Sequence, residues 1–147
     1  MVEPMAQTVL AFDYGRKNIG VAVGQTLTKT ASALTVLRYG ETRESKKVLQ
    51  QQIQKLIAEW KPSQLIVGWP LNMDGTESEL CFDVKKFASQ LEKGTAIPIV
   101  FVDERLTSHE AKQQQMSRGE KNYRKQPIDS EAARIMLEGW LRENARA

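Results

Sequence analysis

The chain has 147 residues, 41% hydrophobic and 27% charged, the length and balance of one globular domain that can bury a core without staples. Its single cysteine, Cys81, excludes an internal disulfide, and no run approaches the ~18 apolar residues of a membrane span. The lead Met-Val-Glu-Pro lacks the basic start and apolar stretch of a signal peptide, so a cytoplasmic location is the expectation.

Taken in chain order, residues 1–7 read as an N-terminal extension to a single domain covering 1–147. Thr8–Asp13 is a short apolar run that ends in a charge, as a buried strand does. Asn18–Gly24 follows after a few turn-forming residues, so the two pair antiparallel, and Ala33–Leu37 adds a third strand. From Lys46 to Trp60 the period changes, and Leu49, Ile53, Leu56, Ile57 and Trp60 fall on one helical face that Pro62 terminates. Gln64–Gly68 is the fourth strand, after which Asp74-Gly75 marks a turn.

Thr76 and Glu79 have the spacing of a capping box for the next helix, on which Leu80, Val84, Phe87, Ala88 and Leu91 share a face. Ile97–Val102 is the fifth strand, running into Asp103-Glu104-Arg105. Thr107 and Glu110 repeat the capping-box spacing and open a further helix. Asp129 begins the last helix, with Ala133, Met136, Leu137, Trp140 and Leu141 on one side. Three strands, then strands alternating with helices, make an α/β domain with a mixed five-stranded sheet flanked by helices.

Sites in open α/β sheets form beyond the carboxyl ends of strands. Asp13 stands at such an end, as does Asp103-Glu104, and Asp129 heads the last helix. Each has a plainer reading: turn residue for Asp13, surface charge for Asp103-Glu104, helix cap for Asp129. If the sheet gathers them, two carboxylates ~4 Å apart repel by about 4 kcal/mol at an effective dielectric near 20. Such a cluster takes up protons or binds cations, and all-oxygen ligands favour magnesium or manganese over zinc.

Net charge is +3, and Arg118, Lys121, Arg124 and Lys125 stand against the single acid Glu120 within eight residues. That stretch reads either as a solvated loop or as a phosphate-binding one.

Four blocks occur in order: Asp13-Tyr-Gly-Arg-Lys-Asn-Ile-Gly-Val-Ala-Val-Gly24, Ile66-Val-Gly-Trp-Pro-Leu-Asn-Met-Asp-Gly75, Asp103-Glu-Arg-Leu-Thr107 and Asp129-Ser-Glu-Ala-Ala133. Together they resemble the YqgF (RuvX) family of bacterial proteins over nearly the whole chain. The resemblance implies a ribonuclease-H-like fold and a metal-dependent nuclease that processes the 5′ end of precursor 16S ribosomal RNA. Resolution of four-way DNA junctions is the alternative it leaves open. Asp13, Glu104 and Asp129 match the family's acidic positions and are the expected catalytic residues and metal ligands. Arg105, Arg118, Lys121, Arg124 and Lys125 are the expected nucleic-acid contacts, with pairing to a neighbouring acid the equal alternative for Arg105.

Strand alternation sends Asp103 and Glu104 to opposite faces, so at most one of them reaches the site directly, and the match to the family's acidic positions favours Glu104. Gly15, Gly20, Gly24 and Gly68 are read as turn or close-approach positions. His109, the only histidine, is given no role because metal-assisted hydrolysis does not require one. Pro127 stands where family members often have lysine, which places the contacts of the basic loop in question.

Two rivals differ in class. ATP-binding lobes of the actin and sugar-kinase type also use an aspartate after their first strand, but this loop reads Gly15-Arg16-Lys17-Asn18 without the expected Ser or Thr. A non-catalytic nucleic-acid-binding module would have lost acids that are all present here. Monomer and homodimer are both compatible with the sequence.

Overall fold

The computed structural model describes residues 7–103 and 128–144. A five-stranded sheet has the order β3-β2-β1-β4-β5. Its strands are β1 (Thr8–Tyr14), β2 (Asn18–Gln25), β3 (Thr30–Arg38), β4 (Gln64–Trp69) and β5 (Ile99–Asp103). Strands β1 to β3 form an antiparallel meander, whereas β4 runs parallel to β1, and β5 parallel to β4. The helices are α1 (Arg43–Trp60), α2 (Glu79–Gly94) and α3 (Ile128–Asn144). Among the described residues, no helix is long and apolar enough to cross a membrane.

The central strands are buried on both faces, so their apolar residues run without a break instead of alternating with polar ones. Leu10, Phe12, Val21, Leu65 and Val67 face Leu49 and Ile53 of α1 and Val84, Phe87 and Leu91 of α2. Val9, Ala11, Ala22 and Ile66 face Ala133, Met136, Leu137 and Leu141 of α3. Small residues on the second face let α3 lie close. A Cβ built on Gly24 would stand 2.8 Å from Leu141 Cδ1 and 2.9 Å from Leu137 Cδ2. Gly24 therefore serves helix packing. Gly15 serves a turn, because a Cβ there would meet the Asn18 carbonyl oxygen at 2.6 Å.

Helix α1 starts at Arg43, three residues earlier than the apolar period alone indicates, because Thr42 caps it by accepting from the Ser45 amide at 3.0 Å. It ends at Lys61, which adopts a left-handed φ of 47° and donates its amide to the Ile57 carbonyl. The expected capping box at Thr76 and Glu79 is not formed. Helix α2 begins at Glu79 after Ser78, and Thr76 is instead held by Asp74, which accepts from its amide at 3.0 Å and its hydroxyl at 2.6 Å. The Asp-Gly turn captures Thr76 before the helix can.

Strand β5 begins at Ile99, not Ile97, with the Pro98 carbonyl accepting from the Leu65 amide at 2.9 Å. Strand β3 is longer than read, from Thr30 to Arg38, with a register shift opposite Val21 and Ala22. Gln7 is tied to Thr26 through its amide and its carbonyl. The helix expected after Thr107 lies outside the described residues.

Candidate active site at the carboxyl edge of the sheet

Asp13 is the penultimate residue of β1, paired with Gly20 of β2. Side chains alternate along a strand. Phe12 is packed toward α1 and α2, and Val9 and Ala11 toward α3. Asp13 thus falls on the α3 face, half-buried, where the strand reaches the carboxyl edge of the sheet.

The turn that follows is tied down from the other face. The Tyr39 hydroxyl donates to the Gly15 carbonyl at 2.7 Å, and the Tyr39 amide donates to the Lys17 carbonyl at 3.0 Å. Arg16 Nε donates to Asp83 Oδ2 of α2 at 3.1 Å. The Tyr39 hydroxyl is pushed far above the usual tyrosine range, chiefly by burial. Its side-chain hydrogen bond with Tyr14 and the negative charges that Tyr14 and Asp83 can carry act in the same direction. It stays a protonated donor. Sequence patterns did not reveal this brace, since Tyr39 follows β3 and Asp83 looks like ordinary helix surface.

The second expected acid lies beyond the end of β5. Trp69 pairs with Asp103, Gly68 with Val102 and Val67 with Phe101 in the parallel ladder. Trp69 packs on the α1–α2 layer and Val102 on the α3 layer, so Asp103 is carried on the face opposite Asp13. Glu104 lies outside the described residues, as do Arg105, Arg118, Lys121, Arg124, Lys125 and Pro127. Asp129 is the second residue of α3, four positions ahead of the buried Ala133; its side chain is outside the described set. Among the described residues, no three His, Cys, Asp or Glu side chains converge as a metal cluster.

Between β4 and α2, Asn72 donates to Thr76 Oγ1 at 3.0 Å, and Ser78 Oγ donates to the Pro70 carbonyl. Leu71 and Glu77 bridge antiparallel. The loop is therefore internally hydrogen-bonded at the same edge of the sheet as Asp13.

Comparison with known proteins bears on both fold and family. The chain resembles Thermus thermophilus RuvC, solved in complex with a Holliday junction substrate, with a TM-score of 0.60 and 16% identity over 95% of this chain and 97% of that one. It resembles the yeast mitochondrial Holliday junction resolvase Ydc2 with a TM-score of 0.52 and 13% identity over 91% of this chain and 77% of that one. At these identities the likeness is one of fold, and that fold is ribonuclease-H-like. A protein of Saccharophagus degradans named "Putative pre-16S rRNA nuclease" is 46% identical over 140 residues, covering 95% of this chain and 96% of its own. A protein of the same name from Haemophilus ducreyi is 45% identical over 141 residues, covering 95% and 99%. The family model described as "RuvX: Holliday junction resolvase" matches residues 7–143. The chain belongs to the RuvX family.

Proposed function

We propose that this protein is a divalent-metal-dependent nuclease that hydrolyses phosphodiester bonds at the carboxyl edge of its sheet. The observation that carries the reading is the position of Asp13, at the end of β1 on the face that α3 covers. Leu137 and Leu141 of α3 lie over Gly24, which pairs with Val9 at the start of β1. Asp129 is eight residues before Leu137, about 12 Å of helix. Asp13 is four residues beyond Val9, about 13 Å of strand. The matching spans support an approach of the first turn of α3 to the end of β1.

Asp13, Glu104 and Asp129 would hold the ion, and Asp103 would not, because it is carried on the other face. An all-carboxylate donor set suits magnesium or manganese. When bound, such an ion polarises the phosphodiester and makes water a competent nucleophile near neutral pH. The carboxylates fix its position, while the brace from Tyr39 and Arg16 steadies the turn after Asp13. Arg105, Arg118, Lys121, Arg124 and Lys125 would hold flanking phosphates. The single domain would work in the cytoplasm, as a monomer or a homodimer.

The substrate we favour is precursor 16S ribosomal RNA at its 5′ end, after the names of the relatives at about 45% identity over nearly their whole length. A four-way DNA junction is the second reading, favoured by the description of the family. Symmetric resolution wants two sites related by a two-fold axis. The test is cleavage of precursor ribosomal RNA and of junction DNA side by side in magnesium, with Asp13→Asn as control and the solution mass measured. RNA cleavage that Asp13→Asn abolishes supports the favoured reading. Junction cleavage by a dimer supports the second, and equal cleavage by mutant and wild type overturns the site.

A further inference from the structure

Helix α2 carries two adjacent lysines, each placed over an aromatic ring. Lys85 Nζ stands 5.6 Å from the centroid of Trp69, and Lys86 Nζ 4.7 Å from that of Phe82. Trp69 meets Phe101 edge-on with centroids 5.1 Å apart. Phe82 and Lys85 are three residues apart and so neighbours on one helix face. Two groups result, Lys86 with Phe82 and Lys85 with Trp69 and Phe101, and the helical spacing of Phe82 and Lys85 sets them side by side.

The row is open to solvent at Phe82, 65% exposed, and Phe101, 45% exposed, whereas Trp69 is partly buried against the core and offers only part of its ring. Phe82 and Phe101 are two of the five exposed large hydrophobic side chains among the described residues, and both fall here. Lys85 has an ion pair with Glu77, but at 4.0 Å with both side chains 60% exposed it holds the lysine only weakly. Asp83, on the same stretch of helix, is already engaged by Arg16.

A row of rings with ammonium groups between them matches an unpaired nucleic-acid strand, whose bases present π-faces and whose phosphates are spaced between them. A duplex keeps its bases stacked on one another and offers none to the rings. A protein-binding patch of this size is ordinarily depleted in lysine. The row also lies toward the carboxyl edge of the sheet: Trp69 ends β4, and Phe82 is in the first turn of α2, just beyond the loop that follows β4. It occupies the face opposite Asp13, so one strand crossing the edge of the sheet spans both.

We propose that Phe82, Trp69 and Phe101, with Lys85 and Lys86, form a binding surface for an unpaired nucleic-acid strand that flanks the cleaved bond. This rests on the nuclease reading for the identity of the strand, but not for the binding itself. It makes single-stranded flanks, rather than fully paired arms, the substrate feature that this protein recognises.

The test is fluorescence anisotropy with the full chain in EDTA. The probes are a labelled unpaired RNA of about twelve nucleotides and a blunt RNA duplex of equal length, a span that covers a site of this size. Phe82→Ala is expected to weaken single-strand binding about fivefold or more while changing duplex binding less than about twofold. Lys85→Ala with Lys86→Ala is expected to lower the single-strand salt slope by about 1.4, two phosphates at ~0.7 each. Saturable quenching of tryptophan fluorescence by the RNA is expected, and to be largely lost in Trp69→Phe. Melting curves matching the wild type establish that each variant is folded.

Unchanged single-strand affinity in the folded Phe82→Ala and double-lysine variants overturns the surface. So does a Phe82→Ala variant that alters only the solution mass, which assigns the patch to self-association. In either case Asp13-dependent cleavage can persist and leave the nuclease reading standing. Conversely, loss of single-strand binding in these variants, with no Asp13-dependent cleavage by the wild type, supports the surface and removes the nuclease.

Discussion

The Tyr39 hydroxyl donates to the Gly15 carbonyl at 2.7 Å, joining the end of β3 to the turn that follows Asp13. Tyr39→Phe removes this bond and leaves the carbonyl to water, a loss of about 1 kcal/mol. The folded group titrates far above the ordinary tyrosine range, first because it is buried and then through Tyr14 and Asp83. The sign follows from linkage. Above about pH 10 the unfolded tyrosine sheds its proton while the folded one keeps it, so the unfolded state gains and stability falls with rising pH. The contribution is complete below about pH 10 and declines above it. Urea midpoints at about pH 8 and pH 11 should fall further for the wild type than for Tyr39→Phe. Equal declines would show that Tyr39 is not the group responsible.

Two glycines of the chain make opposite predictions. At Gly24 an added Cβ meets Leu141, Leu137 and the Thr30 carbonyl oxygen, the last at 3.1 Å, so Gly24→Ala overpacks the contact with α3 and costs about 1–3 kcal/mol. At Gly139, within α3, an added Cβ meets nothing within 4 Å, so Gly139→Ala gains helix propensity worth about 0.5–1 kcal/mol. Thermal melts of the two variants check both signs. A Gly24→Ala protein as stable as the wild type would mean that α3 lifts from β2 without penalty.

How far the sequence revealed all this depends on what each signal contains. The sheet was readable because β1, β2 and β4 are apolar runs bounded by charge, glycine and proline, and the helical faces of α1 and α2 recur at the expected spacing. Boundaries were less readable where a local hydrogen bond decided them: Thr42 started α1 early, and Asp74 took Thr76 away from α2. The place of Asp13 at the end of β1 was readable from the apolar run before it. The Tyr39 and Asp83 brace was not, since partners 24 and 67 residues apart from Gly15 and Arg16 leave no local pattern. The lysine and aromatic row on α2 was equally hidden, because Trp69 and Phe101 join it only through the pairing of β4 with β5.

Helix α1 ends on Lys61 with φ 47° and ψ 57°, a left-handed conformation that costs a non-glycine residue about 1–2 kcal/mol. Lys61→Gly relieves that cost at a C-cap, where glycine is the preferred residue, against a smaller loss from greater freedom in the unfolded chain. A net gain of about 0.5 kcal/mol is expected. Chemical denaturation would read it as a higher midpoint with an unchanged slope. A lower midpoint would mean that the lysine side chain contributes more than its backbone strain removes.

The pairing of Trp69 with Asp103 yields the sharpest test of the acidic site. In that register Asp103 shares the face of Trp69, and Asp13 lies on the other. On the proposed site, an acid on the face of Trp69 is not placed to share an ion with Asp13. Asp103→Asn is therefore expected to change the magnesium-dependent cleavage rate by less than about threefold, the scale of about half a kcal/mol. Glu104→Gln, one residue on, is expected to lower it by ~100-fold or more, in line with the several kcal/mol that a bound ion supplies to the transition state. Raising magnesium should partly restore Glu104→Gln if the loss is one of metal affinity, and should leave Asp103→Asn unaffected. A large loss in Asp103→Asn with little in Glu104→Gln would place the ion on the α2 side of the sheet and remove Asp13 from its shell.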